Sequence, residues 1–429
     1  PKPQTPNPKP QTPNPSMKEL EDVRSPQPKC DPLVPPAIDA ESLEIVKPLF
    51  HFKQPLSELP GPYLFSTFRS LALETFLLST SQVGQIILNC STYVFLNMIG
   101  DPLLQASFGI LNSFWLIFFI ALNQANTDKL GISLSVAVGQ QDYPRCRKVF
   151  TQGIISVLVL YGCVTFPAVV FAERLLVSIG ISSEIAHTVQ SALYVLALSM
   201  CCQIASEVIQ TFCMAQGVER IFGKVATVNL FLALFLNYYL IVEQELGLIG
   251  FVWTKTLYEA INLTAALIAL RWTEPQTRGF ASLKDTLDGL SRFLWDTTRY
   301  TFSSYSEYVA YEITTYLIAL THDNEMIAGF TSCITISGVI YTLGMSFAFI
   351  CRTRTNILIG MSQKTTAKNF YDFYLKGVYL TGVLFGVLTL IFRGSIANVF
   401  ADSNIEMRNN LINFLTVYAF QMPTELTLN

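Results

Sequence analysis

The stretch Gln203-Ile204-Ala205-Ser206-Glu207 returns 218 residues later as Gln421-Met422-Pro423-Thr424-Glu425. Working outward from it, Ile185 falls on Ile405 at an offset of 220 and Gly139 falls on Gly360 at 221. Ala106-Ser107-Phe108 falls on Ala328-Gly329-Phe330 at 222. The register drifts by only a few residues across four apolar segments, as expected of an internal duplication. In an apolar chain such a repeat implies two pseudo-symmetric helix bundles with a transported solute held between them.

The rest of the composition agrees. With 429 residues, 51% hydrophobic and only 14% charged, and a mean hydropathy of +0.41, the chain is too apolar for a soluble globular protein of this size. About ten apolar segments follow one another, at 69–97, 104–136, 149–172, 186–213, 225–242, 248–271, 297–320, 327–350, 373–397 and 409–429. Each is near the roughly twenty residues that a helix needs to cross the hydrocarbon core. Only helices satisfy their own backbone groups in lipid when sheets cannot close, so the fold class is an all-α, multi-pass integral membrane protein.

Four regions follow. Residues 1–60 repeat PKPQTPN and are rich in proline, which reads as a disordered, partly polyproline-like tail. Residues 61–271 form an N-terminal six-helix bundle. Residues 272–293 read as a linker with a short amphipathic helix, because Trp272, Phe280, Leu283, Leu287, Leu290 and Phe293 alternate with charges. Residues 294–429 form a C-terminal bundle of four helices. The second-half images of helices five and six would begin near 445, beyond Asn429. The repeat therefore predicts six plus six helices with about ten present, a chain truncated at its C-terminus.

Basic residues set the orientation. The connection 137–148 carries Arg145, Arg147 and Lys148, and 351–372 carries Arg352, Arg354, Lys364 and Lys368, whereas 97–103 and 321–326 carry none. The N-terminus is expected to be cytoplasmic, in a plasma or internal membrane. No basic run carries interleaved aromatics, so nucleic acid is not an expected partner. The nine cysteines contain no CxxC pair, and the only histidines are His51, His187 and His322. Neither a metal site nor a cofactor is expected, and the serine-rich stretches have no nearby histidine to activate a nucleophile, so an enzyme is not expected either.

Ionisable groups inside membrane helices are costly and point to function. The stretch SYSEYVAYEITTYLIAL (304–320) carries Glu307 and Glu312, whose images at an offset of 222 are Gln85 and Cys90. Glu425 follows Pro423, which is expected to open the backbone there, and Glu207 is its image in the first half. Asp128 sits beside Lys129, where the two charges are expected to offset one another in part. A carboxyl group out of water can hold a proton or a cationic ligand but not both favourably, and that competition couples two fluxes. Tyr305, Tyr308, Tyr311 and Tyr316, with Trp115 elsewhere, offer ring faces to an organic cation. The candidate substrate and proton site is thus Glu307, Glu312, Glu425, Tyr308 and Tyr311, with Glu207 and Asp128 behind them. The bland alternatives are pairing of the glutamates with Arg299 or an interfacial position, and core packing for the tyrosines.

These residues resemble the multidrug and toxic compound extrusion (MATE) family in its eukaryotic branch. FLNMIGDPLLQASFGILN (95–112) resembles the family's loop after helix one, and SVAVGQQDY (135–143) its glycine motif entering helix three. FCMAQGVERIF (212–222) is similar to its Gln-Gly loop, ELGLIGFVWTK (245–255) to its turn into helix six, and LGMSFAFICRTRTNILIG (343–360) to its eighth-helix motif. Two glutamates at the spacing of Glu307 and Glu312 are found in helix seven of eukaryotic members. The resemblance implies a monomeric antiporter of two six-helix bundles facing one another in a V, exporting organic cations or other xenobiotics in exchange for protons, or sodium in some members. Where bacterial members place an aspartate in helix one, this chain has Thr92, which argues against an ion site of that kind in the first half. Val136 replaces the expected glutamine beside Gly139, and Arg352, Arg354 and Asn356 fit with a one-residue shift. The other readings are a lipid flippase of the same superfamily and an inactive truncated paralogue.

Overall fold

The computed structural model describes residues 52–53, 59–99, 102–218, 220–319, 324–401 and 405–428; within these, a number of side chains, including those of 307–319, lie outside the description. The proline-rich tail expected at 1–60 falls almost wholly outside the described residues. Ten long helices correspond in order to the ten apolar segments. They are α1 (Gly61–Ile99), α2 (102–139), α3 (143–170), α4 (Ser183–Ala215), α5 (220–243), α6 (Gly247–Ala269), α7 (Leu290–Ala319), α8 (Asn324–Gly360), α9 (Lys364–Ala401) and α10 (Ile405–Leu428). No strand occurs among the described residues. Among the described residues, six helical stretches are long and apolar enough to cross a membrane: Ala106–Gly139, Tyr143–Val170, Ser183–Ala215, Ile221–Glu243, Ser332–Gly360 and Lys364–Asn398.

The duplication extends to single hydrogen bonds. After α2, Gln140 N donates to Val136 O, Gln141 N to Val138 O and Asp142 N to Ala137 O. After α8, Met361 N donates to Ile357 O, Ser362 N to Ile359 O and Gln363 N to Leu358 O, the same pattern 221 residues on. Gln141 and Ser362 both take the left-handed conformation, at φ 53° and 61°, closing each helix by the reversal that satisfies its last carbonyls. Asp142 then caps α3 by accepting from Arg145 N, with Pro144 in the first turn, where a missing N–H costs nothing.

Between these twin caps the two halves meet. A Cβ on Gly139 would lie 2.2 Å from Ile357 O, and a Cβ on Gly360 would lie 2.4 Å from Val136 O. Each glycine thus admits the carbonyl three residues before its counterpart, and the α2 and α8 backbones touch where side chains would hold them apart. α8 also packs on α1, while α7 packs on α2, α8 and, more lightly, α3. Within the first half, α4 packs along α6 and α1 along α5; within the second, α9 and α10 pack together, and α8 packs on both.

Two expectations change. The connection placed at 351–372 is mostly helix, because α8 continues to Gly360 and α9 starts at Lys364. Arg352 and Arg354 are accordingly not loop residues but part of α8. α10 also runs unbroken through Pro423. Gly382 of α9 makes this fit: a Cβ there would lie 2.6 Å from Pro423 Cα, and one on Gly386 would lie 2.5 Å from Ala419 O. Tight packing on α9 thus holds the proline turn in the helix.

The linker connects α6 to α7. It holds two short 3₁₀ turns, Leu270–Trp272 and Pro275–Thr277, and one short helix, Leu283–Leu287, capped by Ser282. Trp272, Phe280, Leu283 and Leu287 are exposed. It is strapped to α3 by Gln152 Nε2, which donates to Thr286 O and Asp288 O, and by Lys148 paired with Asp288 at 2.7 Å.

Candidate functional site

Three π-turns interrupt the helices of the first half: Leu116–Ile120 in α2, Tyr161–Thr165 in α3 and Tyr239–Glu243 in α5. Such turns frequently mark functional sites. The first two face one another, since Thr165 Oγ1 donates to Phe118 O at 2.7 Å. Immediately before the first of them, Trp115 lies with its ring centroid 4.7 Å from Lys255 Nζ of α6.

Lys255 is the centre of a buried ionic cluster. Its ammonium donates to Glu259 Oε1 at 2.8 Å, one helical turn along, and both side chains are 1% exposed. Gln85 Nε2 of α1 donates to the same oxygen at 3.3 Å, and Asn262 Nδ2 to Glu259 Oε2 at 3.4 Å. Tyr258 flanks the ammonium on another side, 5.5 Å from ring centroid to Nζ. A buried ion pair is tolerated when further hydrogen bonds and ring faces complete its shell, as here.

Glu207 of α4 stands beside this cluster and interacts electrostatically with Glu259, Lys255 and Asp128. Its carboxylate is held by two amides: Asn123 Nδ2 of α2 at 2.5 Å and Gln203 Nε2, one turn earlier on α4, at 2.7 Å. No cation forms a salt bridge with it among the described residues.

Asp128 does not rely on Lys129. Neighbours on a helix point about 100° apart, and the Asp128 carboxylate instead accepts from Arg352 of α8 and from Gln124 Nε2 at 3.2 Å. Arg352 also reaches Tyr300 of α7 at 3.4 Å. Two residues on, Arg354 pairs with Glu74 of α1 at 2.6 Å. Both pairs join a guanidinium of the second half to a carboxylate of the first.

Glu425 of α10 is 6% exposed and lies close enough to Cys333 of α8 to interact with it electrostatically. α10 packs on α8 and α9, whereas α4 packs on α2, α3 and α6, so the two copies of the Gln-to-Glu phrase lie in different packing environments. Glu307, Tyr308, Tyr311 and Glu312 belong to α7, but their side chains lie outside the description. Thr92 accepts from Asn237 Nδ2 at 2.9 Å, a contact between neutral groups.

Lys255, Glu259, Glu74, Arg352 and Arg354 were not among the candidates read from sequence. A Lys and a Glu four apart inside the apolar segment 248–271 is a readable signal, since that spacing places them on one face. The arginines were hidden by their nearness to a loop.

No protein-family model matches the sequence, and no curated protein matches it. Solved structures do. The chain is similar to the eukaryotic MATE transporter AtDTX14, with a TM-score of 0.75 at 14% identity, covering 85% of this chain and 81% of that one. It is also similar to the Vibrio cholerae MATE transporter VcmN, with a TM-score of 0.73 at 12% identity, covering 83% and 82%. A MOP-superfamily transporter from Pyrococcus furiosus, described as having a binding pocket of reversed polarity, matches with a TM-score of 0.71 at 16% identity, covering 84% and 82%. The protein is a multi-pass membrane protein with the MATE transporter fold.

Proposed function

We propose that this chain is a secondary antiporter that exports organic cations or related xenobiotics in exchange for protons. The observation that supports it most is the way the halves join. A glycine contact and two ion pairs hold α8 to α1 and α2, and these can part and re-form more readily than a continuous apolar core. α7, which carries Glu307 and Glu312, packs against both α2 and α8, so its helix belongs to the same junction.

In this reading Glu307, Glu312 and Glu425 hold a proton or the cationic substrate in turn, and Tyr308 and Tyr311 supply ring faces. Gln85, the first-half image of Glu307, lies against a buried charged cluster, which supports an interior role for the equivalent position. The basic starts of α3, with Arg145, Arg147 and Lys148, and of α9, with Lys364 and Lys368, face the cytoplasm under the positive-inside rule.

The test is efflux of a fluorescent quaternary ammonium from vesicles under an imposed pH gradient. Glu307→Gln and Glu312→Gln are each expected to lower the initial rate at least tenfold. Unchanged rates in both variants, at equal protein content, would remove this mechanism.

A further inference from the structure

The first half contains an arrangement that the proposed mechanism does not use. We propose that Glu207, Asn123 and Gln203 form a proton-binding site, set by the neighbouring Lys255–Glu259 pair, which takes up one proton independently of the second-half glutamates. The inference rests on the antiport reading only for its purpose; the site itself is argued from geometry.

The first argument is a count of charge. Facing Glu207 are Lys255 and Glu259 from α6 and Asp128 from α2. Asp128 is neutralised by Arg352, and Lys255 is committed to Glu259 at 2.8 Å. The remaining ionisable groups nearby are neutral: Tyr258, the Cys202 thiol, and Tyr161 of α3, which contacts Cys201 further along α4. With all acids ionised the cluster therefore carries one uncompensated negative charge inside membrane-spanning helices. One proton on Glu207 makes it neutral.

The second argument is the hydrogen bonding of the two amides. Asn123 is 5% exposed and Gln203 is 1% exposed. Their nitrogens donate to Glu207, while Asn123 Oδ1 and Gln203 Oε1 are buried with no partner. Two orphaned acceptors around a carboxylate are costly in its ionised state alone. A proton changes this. When water delivers H⁺ to a Glu207 oxygen, the carboxyl becomes an O–H donor, and either amide can turn half a revolution about its terminal bond to accept from it. With the proton bound, the rotated amide's oxygen gains a donor that the ionised carboxylate cannot offer, using side-chain rotation only.

Asn123 also lies five residues before Asp128 on α2. The helix that senses the proton therefore carries the carboxylate that grips Arg352 of the other half.

The test is infrared difference spectroscopy on the protein in lipid vesicles, stepping from mildly alkaline to mildly acidic buffer. The wild-type protein is expected to show the carbonyl stretch of a newly protonated carboxyl, displaced in D₂O. Glu207→Gln is expected to lose that band, and Glu207→Asp to retain it at a shifted position, which separates loss of the site from loss of folding. Glu259→Gln frees Lys255 to pair with Glu207 and is expected to weaken proton affinity roughly tenfold, about one pH unit. Glu307→Gln and Glu312→Gln are expected to leave the Glu207 band in place, so failure of the antiport mechanism is distinguishable from failure of this one. A Glu207→Gln spectrum that superposes on wild type overturns the site, and an unmoved midpoint in Glu259→Gln overturns the charge count.

Discussion

Gln203 and Glu207 in α4 and their copies Gln421 and Glu425 in α10 share spacing, helix and place in the repeat, yet they live differently. Gln203 is buried and donates to Glu207, whereas Gln421 is exposed and Glu425 is turned towards α8 and Cys333. The duplication has kept the backbone, down to the hydrogen bonds of the helix caps, but not the polar chemistry. The first half is laced internally: Asn229 to Tyr258 O and Asn262, Asn237 to Ser91 and Thr92, and Ser156 to Asn126. Such bonds between membrane helices hold a bundle rigid. The arginines of α8 look outward instead, to acids of the first half. The first half is thus knit by its own polar bonds, and two of its acids, Glu74 and Asp128, are paired with arginines of the second.

The sharpest way to break that contrast is Lys255→Met. It strands Glu259 in a buried site and is expected to cost about 3–5 kcal/mol, read as a loss of thermal stability in detergent. Adding Glu259→Gln should restore most of it. If the single variant melts like wild type, the Lys255–Glu259 pair does not help to knit the first half.

The next effect concerns the junction. Gly139→Ala and Gly360→Ala each force the α2 and α8 backbones apart and are expected to cost about 1–3 kcal/mol. Because one separation relieves both clashes, the double variant should cost less than the sum. Strict additivity would show that the two glycines do not share one contact.

Asp128→Asn leaves Arg352 without its carboxylate, a hydrogen bond to a charged group worth about 1.5–3 kcal/mol. In a double-mutant cycle, exchanging the residues as Asp128→Arg with Arg352→Asp is expected to recover part of the loss. No coupling between the two positions would mean that the second half is not tied here.

Asp288→Asn should have the smallest effect, since the Lys148–Asp288 pair is on the surface. It is expected to raise tryptic cleavage at Arg278 and Lys284 no more than a few-fold. The hydrogen bond and charge of Lys148 hold the Asp288 carboxyl below its ordinary range. The pair's contribution is therefore complete above the usual aspartate pKa of about 3.9 and fades only as the pH falls through the lowered value. Strapping of the linker should not change between neutral and mildly acidic buffer.

The fold was largely legible in sequence because apolar length and repeat spacing are one-dimensional signals, and Gly139 and Gly360 marked both helix ends. The functional groups were legible only in part. Glu207 and Asp128 stood out as acids in apolar segments, but their partners come from α2, α6 and α8, which no local pattern links. Arg352 and Arg354 looked like cytoplasmic loop charges because a helix that continues past two arginines is read correctly only when Asp128 and Glu74 are known to meet them. Pro423 looked like a break because Gly382, 41 positions earlier, is what accommodates it.

The reciprocal seating of Gly139 and Gly360 also has a mechanical meaning. α2 runs from residue 102 to 139 through a single π-turn, a rod of roughly 57 Å at 1.5 Å per residue, and it is pinned near one tip. Tilting it by about 10° on that fulcrum sweeps the opposite tip through roughly 10 Å, by the same rod length. A pivot this slim needs no side chain to slide past another, so a small adjustment at one end of the lever becomes an ångström-scale opening many turns away.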